Sequence, residues 1–306
     1  MSGNEPWQEG LQKRLSGAIL FDERAESHTS LGVGGRIDAL VFPDSVADLA
    51  EAVAFLWANQ IPFLPVGNWT NLIVRDGGYR GVLLSLAGMH GLQRSDGSDG
   101  SICLEAEAGL PLAELVGVAV REALTGAEFC AGIPGSVGGA VRMNAGAYGS
   151  EIKDICTSVR LLNPGEGIRT VTRDSLSFSY RNLDLPAETI IIGAAFHLRR
   201  GEGDRIAGRV REIISLRREK HPLEFRNAGS VFKNPPAVPA GRLIDEAGLK
   251  GMRIGDAQIS EKHGNFIVNR GEATAEEIIR LIDLIQKRVF EMTGYALETE
   301  VRIIGE

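Results

Sequence analysis

The sequence predicts an α+β protein built from two or three domains, and three observations support this class. Strand-like and helix-like hydrophobic patterns are mixed along the 306 residues. The hydrophobic fraction of 43% is ample for buried cores, and the length suits about two domains. Glycine is in excess, with 38 residues, or about 12% against an average near 7%. Because there is no G-X-Y period, this excess indicates tight turns and close approach of the backbone to a ligand.

Charge and cysteine content argue against several classes of protein. Lys and Arg number 33 against 40 Asp and Glu, and the net charge of −7 argues against a general nucleic-acid or membrane-surface binder. The three cysteines, Cys103, Cys130 and Cys156, are far apart and form no CxxC pair, which fits a reducing cytosol. The histidines show no HExxH pattern, so no metal site is expected. No signal peptide or long apolar run is visible, and we expect a cytoplasmic protein.

The first 86 residues contain one strong helix signal. Ser45 can cap a helix that runs to Ala58, and Asp48 adds a favourable charge to its first turn. The apolar stripe of this helix is formed by Val46, Leu49, Val53 and Leu56. Strand-like segments follow at Pro62–Val66, Leu72–Val74 and Val82–Leu86.

Residues 87–200 are predicted to form an α+β unit with a large glycine-rich loop. A strand at 102–107 precedes a helix that begins near Pro111. The glycine-rich loop occupies 132–149, and strands follow at 158–163 and 189–198.

The character of the sequence changes after residue 200. A helix is predicted over 204–218, with Ile206, Val210, Ile213 and Ile214 facing inward. A second helix runs from Thr274 to Met292, where Thr274 and Glu277 form a capping box. The tail, 296–304, alternates like a strand. Domain boundaries are therefore expected near 87, 200 and 296.

Two glycine-bearing loops are candidate ligand sites. Gly67–Asn71 is either an ordinary hairpin connection or a cradle of backbone N–H groups for a phosphate, and it lacks the G-x-G-x-x-G order of a dinucleotide fingerprint. In 132–149, six of the eighteen positions are glycine. Because ordering such a segment costs substantial entropy, we favour a loop that wraps a large flat or diphosphate-bearing ligand over a set of tight turns.

Two single residues, Ser230 and Glu300, favour structural roles when each is judged by its chemistry alone. Ser230 follows a glycine and is usually a turn residue in such a context, since no G-x-S-x-G elbow is present. Glu300 falls in the presumed C-terminal strand, where alternation places it on the same face as Glu298 and Arg302. A solvated strand face is the simpler interpretation of Glu300.

Six stretches of the chain, taken together and in order, resemble one family, the UDP-N-acetylenolpyruvoylglucosamine reductases. The resemblance covers residues 28–304. The six stretches are His28–Gly35, Gly67–Leu72 with Arg75–Gly78, Gly132–Ala140 with Asn144–Gly149, Ser179–Asn182, Ala228–Pro235 and Leu297–Gly305.

This resemblance implies an FAD-binding fold of the vanillyl-alcohol oxidase type plus a C-terminal α+β substrate domain. The first FAD subdomain would cover 1–86 together with the C-terminal strand 296–306, and the second would cover 87–200. The substrate domain would cover 201–295. The short run from Arg181 to Thr189 resembles the short, type II form of the family.

The resemblance also implies the reaction. FAD would be bound non-covalently, and NADPH would reduce it. Flavin N5 would then pass the hydride to C3 of the enolpyruvyl group of a UDP-sugar, while C2 is protonated. The product, UDP-N-acetylmuramate, is used in peptidoglycan synthesis. We expect a cytoplasmic monomer with no nucleic-acid or membrane partner.

Three residues match the catalytic set of the family. Arg181 would stabilise charge that develops toward the substrate carboxylate, Glu300 would hydrogen-bond the same carboxylate, and Ser230 would protonate C2. The residues predicted by resemblance to bind the cofactor are Gly67, Asn68, Thr70, Asn71, Leu72, Pro134, Gly135, Ser136, Gly138, Gly139, Asn144, Gly146 and Ile192. Those predicted to contact substrate or NADPH are Tyr180, Lys220, Asn234, Gln258 and His263.

The chain departs from the common family pattern at Trp69, Leu183, Arg226 and Thr299, which affects loop geometry more than the reaction. Two other functions were considered. One is an FAD-linked oxidase of a sugar or alcohol on the same fold. The other is a non-catalytic UDP-sugar sensor, which should have lost at least one of Arg181, Ser230 and Glu300.

Overall fold

The computed structural model describes residues 6–97 and 100–306, which form two compact units. Unit 1 contains the chain up to Asp22, Asp38–Asn68 and Gly81–Ile214. Unit 2 contains Glu23–Ile37, Trp69–Arg80 and Ser215–Glu306. These bounds differ from the cuts expected near 87, 200 and 296, and the three-part division stays a prediction.

The described residues contain helices and strands in mixed order, as predicted for the α+β class. The α-helices are α1 Pro6–Gln12, α2 Val46–Ala58, α3 Leu112–Arg121, α4 Val137–Arg142, α5 Gly203–Lys220, α6 Ala240–Glu246 and α7 Ala275–Thr293. The strands are β1 Ala18–Arg24, β2 Arg36–Phe42, β3 Phe63–Val66, β4 Leu72–Val74, β5 Tyr79–Ser85, β6 Leu92–Asp96, β7 Ser101–Glu107, β8 Leu124–Thr125, β9 Gly146–Ala147, β10 Ser150–Glu151, β11 Cys156–Asn163, β12 Gly167–Thr172, β13 Phe178–Ser179, β14 Asn182–Leu183, β15 Ile190–Arg200, β16 Arg226–Asn227, β17 Arg253–Ile254, β18 Ala257–Ile259, β19 Ile267–Asn269 and β20 Arg302–Ile304.

A six-stranded antiparallel sheet forms the centre of unit 1. Its order is β12-β11-β15-β7-β6, and β8 pairs with the end of β15. The central strand, β15, is paired along both edges, with Phe196 opposite Leu104 of β7 and Ala194 opposite Val159 of β11. These apolar residues are buried, and α4 packs on β15. A second sheet, of order β1-β2-β5-β3, shares its core with α2.

Unit 2 is organised around α7. Thr274 and Glu277 form the predicted capping box at the start of this helix. Asp76 adds a second cap, because its carboxylate accepts the N–H groups of Ala275 at 2.9 Å and Glu276 at 2.8 Å. The small antiparallel sheet β16-β19-β18-β17 packs on the apolar face of α7, and β20 runs parallel to β4. Segments distant in sequence therefore meet in unit 2.

Two sequence predictions were wrong in detail, and one of two alternatives for Gly67–Asn71 is excluded. Gly67–Asn71 is not a hairpin connection, since β3 pairs with β5 and β4 pairs with β20. The glycine-rich segment 132–149 is not one loop, because Ser136 caps the short helix α4 within it. The predicted strand at 296–304 is regular only over Arg302–Ile304. The helices predicted at 46–58, 204–218 and 274–292 are confirmed within one or two residues at each end.

No helix in the described part of the chain is long and apolar enough to cross a membrane.

Asp48 is an N-terminal residue of α2 that also closes a loop. Its carboxylate accepts the backbone N–H groups of Ser16 at 3.0 Å, Gly17 at 3.1 Å and Asp44 at 3.1 Å. Burial alone would raise the pKa of Asp48, but these hydrogen bonds outweigh it and lower the pKa below its ordinary value. The ionised carboxylate therefore stabilises the folded state.

We predict that Asp48→Asn lowers the free energy of unfolding by about 2 kcal/mol at pH 7, because hydrogen bonds to a charged acceptor are lost. The folded pKa lies below the unfolded value of about 3.9, so this contribution is present above that pH and is lost as the pH falls through the folded pKa. Denaturant unfolding at pH 7 and pH 3 measures the effect. The prediction would be contradicted if the native chain and the variant differed equally in free energy of unfolding at both pH values.

Candidate functional site

Ser230 lies in a short irregular segment of unit 2, directly after β16. The side-chain oxygen of Asn227 accepts the N–H of Gly229 at 3.0 Å, and Gly229 has a φ of +73°, which favours glycine. After the serine, Val231 and Phe232 are buried, with exposures of 4% and 1%. The turn and the two buried side chains fix the segment on either side of the partly exposed serine.

Glu300 is held against this segment through its backbone. Its N–H donates to the carbonyl of Val231 at 2.7 Å, and the preceding residue, Thr299, forms an antiparallel bridge with Phe232. The structure therefore brings Ser230 and Glu300, two of the three predicted catalytic residues, together in unit 2.

Glu300 does not share an exposed strand face with Glu298. The side chain of Glu298 is 73% exposed and pairs with Lys233, whereas Glu300 is partly buried and lies outside β20. The simpler interpretation, in which Glu300 is one member of a solvated strand face, is wrong because the backbone bends at this residue.

The amide of Asn71 holds the other side of the Glu300 peptide. Nδ2 of Asn71 donates to the carbonyl of Glu300 at 3.0 Å. The backbone carbonyl of Asn71 accepts the N–H of Arg302 at 3.1 Å. Asn71 is predicted by resemblance to bind the FAD pyrophosphate. Its side chain also positions Glu300, a contact between residues 229 positions apart that the sequence does not reveal.

Asn265 is a residue that the sequence analysis missed. It is 3% exposed, its backbone carbonyl accepts the N–H of Val231 at 2.9 Å, and its side chain bonds both polar groups of Phe232. The available signal was a polar residue directly before the apolar run Phe266–Val268. An amide buried there without hydrogen-bond partners would be costly.

His263 lies two residues before this asparagine. Two effects lower the pKa of His263: burial, which is the larger, and the nearby positive charge of Lys250. Burial is also the main reason why the pKa of His221 falls to about 4, and the positive charge of Arg217 is the second. Both rings are therefore neutral at neutral pH, and Nδ1 of His263 accepts the N–H of Asn265 at 3.2 Å.

Arg181 lies in unit 1, on the two-residue turn between β13 and β14. Its φ is +55°, a conformation that is unfavourable for a residue with a long side chain. Its guanidinium carbon lies 5.1 Å from the centre of the Tyr180 ring. Strain of this kind persists where the surrounding structure fixes it, often at functional sites.

A buried asparagine fixes the base of this hairpin. Asn144 has no exposed surface, and its Nδ2 donates to the carbonyl of Ser179 at 2.9 Å and to Glu151 at 3.0 Å. Its Oδ1 accepts the N–H of Lys153 at 3.0 Å. The side chain predicted to bind the cofactor is therefore occupied by protein partners, and it positions the turn that carries Arg181.

The two predicted glycine-bearing loops meet in unit 1. A Cβ placed on Gly67 would lie 2.3 Å from Oγ of Ser136, so a side chain there would displace the hydroxyl that caps α4. Within residues 6–97 and 100–306, no protein acceptor is found for the N–H groups of Gly67 and the exposed Asn68. A cradle of this kind, without a Cβ and with available N–H donors, suits the pyrophosphate of a dinucleotide.

The glycine-rich segment around α4 contributes more to packing and backbone hydrogen bonding than predicted. The N–H groups of Val137 and Gly138 donate to the carbonyls of Leu110 and Ala108, both at 2.8 Å. Predicted cofactor residues that are buried under protein atoms are Leu72, Ser136, Gly138, Asn144 and Ile192. Those with accessible surface are Gly67, Asn68, Thr70, Asn71, Pro134, Gly135, Gly139 and Gly146. Because Ile192 has no exposed surface, it is a core residue and offers no surface for contact with the flavin.

The residues predicted to contact substrate differ in accessibility. Tyr180 is 45% exposed, Lys220 is exposed at the end of α5, and His263 is partly buried. Asn234 accepts the N–H of Ala240 at 3.0 Å and so helps to start α6. Gln258 is 8% exposed and donates to a backbone carbonyl at 3.1 Å, which favours a structural role for its side chain.

The surroundings of Trp69 account for a large residue at this position, where the family pattern has a smaller one. Its φ is +54°, where a smaller residue or glycine costs less, but the indole is buried to 7% exposure and stacks on His28 at 5.4 Å between ring centres. The ring of His28 is in turn bonded to Glu23 at 2.9 Å. Burial of the indole in unit 2 offsets the backbone cost.

Within the described residues, no cluster of three or more His, Cys, Asp or Glu side chains could hold a metal ion.

Two segments of the chain match known protein families. Residues 37–172 match the profile of an FAD binding domain, and residues 221–304 match the C-terminal domain of UDP-N-acetylenolpyruvoylglucosamine reductase. The fold and these matches define an FAD-dependent oxidoreductase.

Similar proteins cover nearly the whole chain. The UDP-N-acetylenolpyruvoylglucosamine reductase of Syntrophus aciditrophicus is 54% identical over 98% of this chain and 96% of its own length. That of Pediococcus pentosaceus is 44% identical over 94% of this chain and 95% of its own length. The crystal structure of the reductase from Thermus caldophilus is 32% identical, covers 95% of this chain and all of that chain, and has a TM-score of 0.80.

The chain belongs to the UDP-N-acetylenolpyruvoylglucosamine reductase family. It is an oxidoreductase of peptidoglycan synthesis that reduces the enolpyruvyl group of its UDP-sugar substrate. The predicted fold and the predicted FAD cofactor are confirmed, and NADPH use follows from family membership.

The strain at Arg181 can be measured by comparing two variants. Arg181→Gly and Arg181→Ala both remove the guanidinium, so both lose any interaction of the side chain. Because only alanine retains a Cβ at positive φ, we predict that the glycine variant is more stable by about 1 kcal/mol. Denaturant unfolding of the two variants gives this difference directly. A more stable alanine variant would show that the turn is not strained.

Proposed function

We propose that Arg181, Ser230 and Glu300 are the catalytic residues of this reductase. The observation that carries the proposal is the 2.7 Å hydrogen bond from Glu300 N–H to the Val231 carbonyl, which holds an acidic residue and a hydroxyl-bearing residue on one bonded segment. The strained turn at Arg181 supports the assignment of the third residue.

The residues present fit FAD. The Gly67 cradle offers N–H donors where a Cβ would meet the Ser136 hydroxyl, and the accessible members of the predicted set are glycines, small polar residues and one proline. Gly67, Asn68, Thr70 and Gly135 would hold the pyrophosphate. FAD, when bound, accepts a hydride from NADPH and supplies it to C3 of the substrate. We propose that it is bound without a covalent linkage.

Each catalytic residue has a separate task. Ser230 donates its hydroxyl proton to C2 of the substrate, where the carbanionic character that follows hydride addition is greatest. Arg181 stabilises the negative charge that spreads to the substrate carboxylate as an enediolate. Glu300, in its protonated form, donates a hydrogen bond to the same carboxyl group. Tyr180, Lys220, Asn234 and His263 are proposed contacts for substrate or NADPH.

We further propose that the enzyme acts as a cytoplasmic monomer and requires neither nucleic acid nor a membrane. The net charge of −7 supports the lack of a nucleic-acid or membrane partner, since the overall charge attracts neither.

Ser230→Ala should separate the two half-reactions. The serine is assigned only to protonation of C2, so reduction of the flavin by NADPH should proceed near the native rate. Reoxidation by the enolpyruvyl substrate should slow by about 10²–10⁴-fold, the usual contribution of general acid catalysis. Stopped-flow absorbance of the flavin follows both steps. Equal slowing of both steps would instead give Ser230 a role in shaping the flavin site.

Glu300→Gln tests whether the carboxyl group of Glu300 acts in the transition state. If it stabilises the developing charge, kcat should fall by about 10²–10³-fold with little change in KM. If the side chain is only a surface group, turnover should be unchanged and the free energy of unfolding should shift by about 0.5 kcal/mol or less. Steady-state kinetics with the enolpyruvyl substrate distinguish these results. Glu298→Gln, at an exposed neighbour, is the matched control and should leave turnover unchanged.

A further inference from the structure

The two residues after Ser230 depend on Asn265 for most of their backbone hydrogen bonds. Val231 N–H donates to the Asn265 carbonyl at 2.9 Å. Phe232 N–H donates to Oδ1 of Asn265 at 2.9 Å, and Nδ2 of Asn265 donates to the Phe232 carbonyl at 2.8 Å. The remaining group, the Val231 carbonyl, accepts the N–H of Glu300. Asn265 therefore satisfies three of these four polar groups.

This dependence follows from the irregular backbone at the site. Residues 231–232 form only an isolated antiparallel bridge, between Phe232 and Thr299, so no continuous strand ladder supplies partners for the Val231 N–H or for the N–H and carbonyl of Phe232. They are buried, so water is not an available substitute. The side-chain amide of Asn265 replaces a neighbouring strand, because it offers one donor and one acceptor at the spacing of a peptide group.

We infer that Asn265 is a positioning residue for Ser230 in the reductase reaction. The inference rests on the proposed role of Ser230 as the proton donor. Without the amide, the Phe232 N–H and carbonyl would be left unsatisfied, and the segment would shift to find new partners. Ser230 lies next to this clamped pair of residues in the chain. A shift of about 1 Å at a catalytic group can cost about 10²-fold in rate.

Asn269 provides a matched control within the same stretch of chain. It is 5% exposed, and its side chain makes three hydrogen bonds, against two for the side chain of Asn265. These reach Leu31 at 2.9 Å, Gly271 at 2.9 Å and Ala273 at 3.1 Å, none of which adjoins Ser230 or Glu300. Loss of either asparagine should lower stability, but only loss of Asn265 should disturb the serine.

The experiment compares four purified, flavin-loaded variants with the native enzyme: Asn265→Ala, Asn269→Ala, Ser230→Ala and the double variant Ser230→Ala/Asn265→Ala. Stopped-flow absorbance measures flavin reduction by NADPH and reoxidation by the enolpyruvyl substrate, and denaturant unfolding measures stability. Asn265→Asp, which keeps the acceptor for the Phe232 N–H, replaces Asn265→Ala if the alanine variant does not fold.

We expect Asn265→Ala to slow reoxidation by about 10²-fold, with NADPH reduction near the native rate. Asn269→Ala should lose comparable stability while both half-reactions stay near native rates. In the double variant, Asn265→Ala should add no further slowing to Ser230→Ala, because it acts through the serine.

Two results would overturn the inference. If Ser230→Ala reoxidises slowly but Asn265→Ala reoxidises at the native rate, or at the same rate as Asn269→Ala, the positioning role fails and the proposed function stands. If Ser230→Ala itself reoxidises at the native rate, the proposed role of the serine fails, and the positioning role fails with it.

Discussion

The site depends on the need to satisfy every buried backbone polar group in segments that have no regular secondary structure. Ser230 and Glu300 lie in such segments, and Arg181 lies on the turn between β13 and β14. In each case an asparagine amide bonds the backbone at or near the residue. Asn144 bonds the Ser179 carbonyl below the Arg181 turn, Asn71 bonds the Glu300 carbonyl, and Asn265 clamps the backbone after Ser230. Asparagine suits this task because its short side chain carries a peptide-like donor and acceptor.

The consequence is that these segments are tied to the rest of their own unit by side-chain hydrogen bonds. Two of the three asparagines, Asn144 and Asn265, have almost no exposed surface, so their hydrogen bonds do not compete with water. In unit 2, the chain contributes Asn71 from an early segment and Glu300 from the last turn before β20, and the parallel pairing of β4 with β20 brings them into register. The serine, the glutamate and their supports therefore belong to one folded body.

Sequence reasoning succeeded where the determining interactions are local. The capping box at Thr274 and the Ser45 cap of α2 are encoded within one turn, and both helices were predicted with nearly correct ends. The catalytic trio came from the family resemblance and not from chemistry, since Ser230 and Glu300 taken alone favoured a turn residue and a solvated strand face. The sequence could not reveal that Asn71 and Glu300 are bonded across 229 positions, or that glycines near α4 serve packing as much as ligand binding. Such contacts depend on how distant segments meet.

Amide hydrogen exchange of the native protein tests this view of the site most directly. The N–H groups of Val231, Phe232 and Glu300 lie outside regular helices and strands, and each has a partner within the protein: the carbonyl of Asn265, its side-chain oxygen and the carbonyl of Val231. If the loops are held as firmly as the core, these three amides should exchange as slowly as the buried interior of α7. Exchange as fast as that of exposed turns would show that the site is not held in place by these hydrogen bonds.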